Sequence, residues 1–169
     1  MTITTHTASA APTLGAVVYR FEGQLGGLNP LGIFDDGIRF HNSFEGHVIE
    51  GPFSGGRIYG LDQFVLRADG IGVIVAPEVI ELGDVRVSLD LRGYVVPPPG
   101  APAPPLEAVL DPDFEFPDVP FRVTGAATAA TTSPEHADLN GVVVLVEGTV
   151  NMATGRLDVT ARRVEAPTA

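Results

Sequence analysis

Between Arg57 and Arg67 the chain places one carboxylate among apolar residues of its own parity. Side chains alternate along an extended chain, so Asp62 shares a face with Ile58, Gly60, Phe64 and Leu66 and is expected to point inward. A carboxylate in such a place must find a donor or keep its proton to higher pH, and a raised pKa suits a general acid or base. The competing reading is an aspartate that caps a turn or pairs with an arginine, because structural ion pairs also perturb pKa. Glu78 follows Ile74 and Ala76 in parity, and Glu147 follows Val143 and Leu145, so both are further candidates for the interior. Two such carboxyls would divide acid and base roles across a pocket. Against this, most glutamates lie at a rim or in solvent.

Polar groups of other kinds fall in extended segments as well. Tyr19, Tyr59 and Tyr94 each offer a phenol that can hold a carbonyl or enolate oxygen in an apolar pocket, or that packs its ring and hydrates its hydroxyl at the rim. Arg122 can bind a substrate carboxylate bidentately, or merely offset the surplus of acids. His41 and His47, with Asp35, Asp36 and Glu45 nearby, would supply metal ligands of the His and carboxylate type if a bend in the strand brought them together, and otherwise have a surface or hydrogen-bonded role. Their spacing matches no zinc signature, so no bound metal is expected, and His41 is the better candidate for a pocket wall. The sequence holds no Ser-His-Asp motif or GxSxG elbow, and Gly70-Ile71-Gly72 has no helix after it to cradle a nucleotide.

Composition removes several chemistries. All ten basic residues are arginine, against twenty-one acidic residues, for a net charge of −11. Without lysine there is no Schiff base, and without cysteine no thiolate nucleophile, disulfide or thiolate metal site. The negative charge disfavours nucleic acid and anionic lipid surfaces as partners. No cofactor is implied. The opening MTITTHTASAAPT lacks the basic and apolar regions of a secretory signal, and no run reaches membrane-spanning length, so the expected location is cytoplasmic.

The elements that must position these groups are strands. At 169 residues and 44% hydrophobic content the chain is about one domain long. A disordered lead-in over residues 1–14, which contains His6, a β-domain over 15–164 and a tail over 165–169 are expected. Residues 16–22 alternate, with Val17, Tyr19 and Phe21 on one face. Ile38, Phe40 and Val48 mark one or two strands interrupted near Asn42-Ser43. Strands follow over 57–67, 71–82 and 85–96, joined at Asp69-Gly70 and Gly83-Asp84, dipeptides suited to tight hairpins. Pro77 lies inside the second of these, so a bulge or an edge is expected there. Residues 97–118 read as a long proline-rich loop, either a cover for a pocket mouth or, equally, a solvent-exposed insertion. FRVTGAATAAT, VVVLVEGTV and RLDVTARRV supply the remaining strands.

Eight or nine sequential strands, with almost no helix, predict an all-β fold: a single antiparallel β-barrel with a central apolar pocket. Glycines within strands, at Gly60, Gly72, Gly93, Gly125 and Gly148, favour a strongly coiled sheet over a sandwich. The strand over 142–150 is apolar on both faces, which predicts a homo-oligomer, most simply a dimer.

The pattern Gly51, Phe53, Gly55, Ile58, Gly60, Asp62, Asp69-Gly70, Gly83-Asp84, Gly93 and Leu139-Asn140 resembles a family of small bacterial and fungal barrels of unknown function. That family is similar in architecture to allene oxide cyclase and lipocalin-like barrels, which implies an apolar pocket open at one end. The resemblance spans most of residues 15–164. The chain departs from it in a shorter link between Gly60 and Asp62, in Gln63 where the family has tryptophan, and in the added proline-rich loop. Two functions are therefore expected to compete. One is a cofactor-independent isomerase, cyclase or carbon-carbon lyase acting on a small apolar organic molecule, and the other is a non-catalytic barrel that binds one.

Overall fold

The computed structural model describes residues 11–165, so His6 and most of both terminal segments lie outside the described residues. Nine strands run in sequence: β1 (Thr13–Leu25), β2 (Pro30–Phe34), β3 (Gly37–Glu50), β4 (Arg57–Leu66), β5 (Gly72–Leu82), β6 (Val85–Val96), β7 (Pro120–Thr131), β8 (Val143–Asn151) and β9 (Arg156–Glu165). Each pairs antiparallel with its sequence neighbour from β3 to β9. β9 then pairs with β1 and β1 with β3, which closes an eight-stranded barrel. The ninth strand, β2, stays outside the ring and pairs with the first residues of β3. At the far end of β1, Thr13 is the register partner of Glu165, so the first and last strands lie side by side along their length.

Glycine sets both the turns and the curvature. Gly70 and Gly83 adopt φ of 80° and 58°, the left-handed conformation that the two tight hairpins require. Within the ring, Gly93 on β6 faces Gly125 on β7 in register. A Cβ at Gly93 would stand 2.3 Å from the Thr124 carbonyl oxygen, so only glycine permits the backbones to approach this closely.

Several local expectations need correction. β3 runs without a break through Asn42-Ser43, because Phe40, Asn42 and Phe44 keep strict alternation toward the interior. β5 has neither a bulge nor an edge at Pro77: it lies between β4 and β6 with no register shift. Proline's missing N–H is felt instead as a gap in the β4–β5 ladder, whose pairing stops at Gly60–Glu78 and resumes at Gln63–Val75. A bulge does occur in β1, where register shifts around Val17 allow both Val18 and Tyr19 to be buried. The glycine-rich connection after β1 contains β2, and the proline-rich segment forms one helical turn, α1 (Leu106–Val109).

The two ends of the barrel are filled differently. Turns 51–56 and 83–84 and the segment 132–142 lie at one end, where Tyr19, Ile58, Ile80, Val87, Val144 and Ala161 form a solid core. Phe53 seals this end, its ring 4.7 Å from that of His136. The opposite end carries turns 67–71 and 152–155 and the loop 97–119. There Val109 and Phe116 from the loop, together with Met152, pack onto the core as a cover. Beneath that cover the interior is hollow.

Candidate functional site

An interior cavity of about 50 Å³ occupies the covered half of the barrel. Phe21, Phe44, Phe64, Leu91, Val123 and Val159 supply much of its apolar wall, and its ionisable lining consists of Asp62 and Glu78. Alternation on β4 places Asp62 inward between Gly60 and Phe64, as the sequence predicts. Alternation on β5 does the same for Glu78, which is 4% exposed. Gly60 is the register partner of Glu78, so Asp62 lies one step along and diagonal to it on the same face. Such diagonal neighbours have Cα atoms about 7–8 Å apart, close enough for the two carboxyls to sense each other's charge.

Neither carboxyl has a cationic partner among the ion pairs of the described residues. Burial raises Asp62 to about 7, partly offset by the Asn42 side chain beside it. Glu78 rises to about 8, first through burial and further through the negative charge of Asp62, while a hydrogen bond from Tyr19 pulls the other way. That bond runs from the Tyr19 hydroxyl to Glu78 Oε2 at 3.2 Å. Tyr19 is itself fully buried, and its phenol is pushed well above the ordinary range by burial and by Glu78, so it remains a donor. Its role is thus to brace Glu78 from the floor of the cavity.

Asn42 is a member of the site that sequence reasoning missed. It is the register partner of Asp62 across β3 and β4, and it is 0% exposed. Its Oδ1 accepts the backbone N–H of Asn29 at 3.0 Å, which fixes the amide's orientation. The signal was available: Asn42 shares parity with Phe40 and Phe44, and a polar residue on an apolar face is as informative there as Asp62 is on β4. Among the described residues, Asn42 Nδ2 and Asp62 Oδ1 are the two buried side-chain polar atoms without a hydrogen-bond partner.

The remaining candidates lie on the outer surface. Glu147 is exposed because Val144, Val146 and Val150 take the inward positions of β8, leaving Val143 and Leu145 facing out at 45% and 43% exposure. Arg122 is exposed on β7, whose inward positions are Phe121 and Val123. Tyr59 lies between inward Ile58 and Gly60, so it faces out, where Arg57 covers its ring and its hydroxyl donates to Glu81 Oε1 at 2.9 Å. Tyr94, between Gly93 and Val95, is 50% exposed. His41 and His47 also point outward from β3, which removes His41 from the pocket wall. Asp36 pairs with Arg39, and Glu45 with Arg57. Among the described residues no three His, Asp or Glu side chains come together as a metal-binding group. No helix there is long and apolar enough to cross a membrane.

No family model matches the chain, and no curated protein does. Solved structures do. A conserved protein of unknown function from Rhodopseudomonas palustris superposes with a TM-score of 0.64 at 19% identity, covering 92% of this chain and 99% of the other. A beta-barrel like protein from Acinetobacter baumannii gives 0.66 at 20% identity over 95% and 100% of the two chains. An enzyme from Penicillium herquei gives 0.57 at 18% identity over 96% and 100%. At these identities the likeness is one of fold: the chain is a small antiparallel β-barrel similar to barrels of unknown function from bacteria and to a fungal enzyme.

Proposed function

We propose that the protein is a cofactor-independent enzyme that carries out acid and base chemistry on a small, uncharged, largely apolar molecule held in the covered half of the barrel. The observation that carries this reading is Asp62: a carboxyl on an apolar cavity wall, in no ion pair, with a second carboxyl one diagonal away. The two structural uses of an aspartate, a turn cap or an arginine pair, are not met: Asp62 lies in the middle of β4 and joins no ion pair among the described residues. The barrel from Penicillium herquei belongs to an enzyme, so catalysis is compatible with the fold.

The two environments separate the roles. Burial raises both carboxyls toward neutral pH, so the pair shares a proton there, and the more deeply buried Glu78 keeps it more readily than Asp62. Asp62 then accepts a proton from a substrate C–H or O–H, and Glu78 donates one to a developing oxyanion. The Tyr19 hydroxyl at Oε2 stabilises the carboxylate that Glu78 becomes. Proton removal at one atom and delivery at another is the core of an isomerisation, a cyclisation or a retro-aldol type cleavage. The cavity's ionisable groups are both acids, so a carboxylate or phosphate ligand would meet repulsion. Self-association through the outer face of β8, at Val143 and Leu145, completes the proposal, and light scattering that gives a monomeric mass at micromolar protein would exclude it.

The test is proton exchange. A panel of small enolisable ketones and phenols is incubated with the protein in D2O and followed by NMR. Substrates that exchange or rearrange with the native protein should do so at least about 100-fold more slowly with Asp62→Asn. Turnover unchanged in that variant would sink the mechanism. Tight binding of the panel without exchange by the native protein would identify a binding barrel instead.

A further inference from the structure

The two unpartnered polar atoms of the interior belong to facing residues. Asn42 and Asp62 are register partners on β3 and β4, both directed inward. Nδ2 of one and Oδ1 of the other are each closed to solvent and each without a hydrogen bond. A buried amide nitrogen left unpaired is costly, and native interiors rarely tolerate two such atoms side by side without a use for them. The amide cannot relieve this by flipping, because Oδ1 of Asn42 is held by the Asn29 N–H, and Asn29 is tied in turn by its carbonyl to the His41 N–H at 3.1 Å. The donor end of Asn42 therefore stays turned away from that clamp, on the side of the barrel interior.

The acceptor is equally constrained. Asp62 sits at the gap in the β4–β5 ladder opposite Ala76 and Pro77. On its other side Gly60 leaves no side chain between it and Glu78. Among the described residues the titratable groups turned toward this part of the interior are Asp62 on β4, Glu78 on β5 and Tyr19 on β1; the inward positions of β6 to β9 are apolar or glycine except Thr131 and Arg163 at the filled end, where Arg163 pairs with Asp138. Asn42 is thus the uncharged donor that faces Asp62, while Tyr19 faces Glu78.

We infer that Asn42 is a positioning residue that selects Asp62 as the basic member of the carboxyl pair, by offering Nδ2 to Oδ1 as a hydrogen-bond donor that is held more strongly when Asp62 is ionised. An N–H donor bonds a carboxylate oxygen roughly twice as strongly as the carbonyl oxygen of the neutral acid, so the contact favours the ionised form of Asp62. The influence of Asn42 on Asp62 runs in that direction, lowering a pKa that burial raises. The inference rests on the proposed acid and base reading for its use in catalysis, but not for its existence.

Carboxyl titration tests it without any substrate. In protein labelled at the aspartate and glutamate carboxyl carbons, 13C NMR follows the Asp62 resonance with pH. In Asn42→Leu the Asp62 midpoint should rise by about 1, a roughly tenfold loss of preference for the ionised form, while Glu78 moves less. Asn42→Ser, which keeps a short donor, should fall between the two, and it serves as the measured variant should the leucine protein not fold. Unchanged midpoints in a folded variant overturn the inference. Where a substrate is in hand, the acidic limb of the pH–rate profile should move upward with the Asp62 midpoint. A native protein that titrates as described but turns nothing over would refute the proposed enzyme and leave the role of Asn42 standing.

Discussion

Replacement of Glu78 by glutamine should make the protein less sensitive to pH, and the size of the effect follows from the site. In the unfolded chain a glutamate titrates near 4.5, and in the barrel Glu78 titrates at about 8. Between these values the folded state keeps a proton that the unfolded state has released, so the unfolded state binds fewer protons and stability falls as pH rises. The contribution is fully present below 4.5, declines by about 1.4 kcal/mol per pH unit, and is gone by pH of about 8. The total is on the order of 4–5 kcal/mol, a large share of the stability of a domain this size. Asp62 acts in the same direction between 3.8 and about 7. The native protein should therefore be markedly more stable at pH 5 than at pH 8. Glutamine keeps an oxygen for the Tyr19 hydroxyl and carries no charge, so Glu78→Gln should remove roughly half of the slope between pH 5 and 7 and should raise stability at pH 8. Urea unfolding at pH 5, 6, 7 and 8 measures both proteins. A native protein whose stability is flat or rises over that range, or a variant with an unchanged slope, would refute the reasoning.

Three further outcomes follow from the packing. Gly60→Ala should destabilise the fold by about 1–3 kcal/mol in urea, because its Cβ would meet the Pro77 carbonyl oxygen at 2.4 Å and the Phe44 ring at 2.8 Å. Ala76→Leu, on the cavity wall beside the carboxyls, should leave cooperative unfolding intact but weaken binding of any cavity ligand about tenfold or more, as isothermal titration would measure. Glu147→Gln and Arg122→Ala, both on the outer face, should change stability by less than about 0.5 kcal/mol and leave turnover unchanged; loss of activity in either would place chemistry outside the barrel.

A side chain's direction is legible in the sequence where one face of its strand is marked. On β4, Ile58, Gly60, Phe64 and Leu66 alternate with Tyr59, Leu61 and Gln63, so the inward direction of Asp62 follows from alternation alone. The hairpins at Asp69-Gly70 and Gly83-Asp84 are equally plain, because their positive φ angles demand residues of that kind. The direction of Glu147 is not legible from alternation, because VVVLV is apolar at every position and parity has no reference. The clue is Gly148, whose missing Cβ would stand 2.2 Å from the Asp158 carbonyl oxygen and which takes the inward row with Val146 and Val150. Tyr59, Tyr94 and His41 mislead for another reason: their chemical suitability competes with parity, although Ile58, Gly93 and Phe40 next to them already claim the interior. Tyr19 reads inward from its alternation with Phe21, but its attachment to Glu78 depends on barrel closure between residues 59 apart, which no local pattern encodes.

The side-by-side lie of β1 and β9 has a consequence for the chain's connectivity. Thr13 faces Glu165, and around the ring from β3 to β9 and on to β1 each strand hydrogen-bonds to the strand that would follow it if the ends were joined. The order of the strands is thus circular in all but the break between β9 and β1, and β2 is the one element that gives it a starting point. A short linker from 165 back to 13, with new ends cut in the exposed part of the proline-rich loop, would keep every ladder and both carboxyls in place. The loop over the cavity is then separable from the barrel that it covers, and its contribution to what enters can be judged apart from the chemistry beneath it.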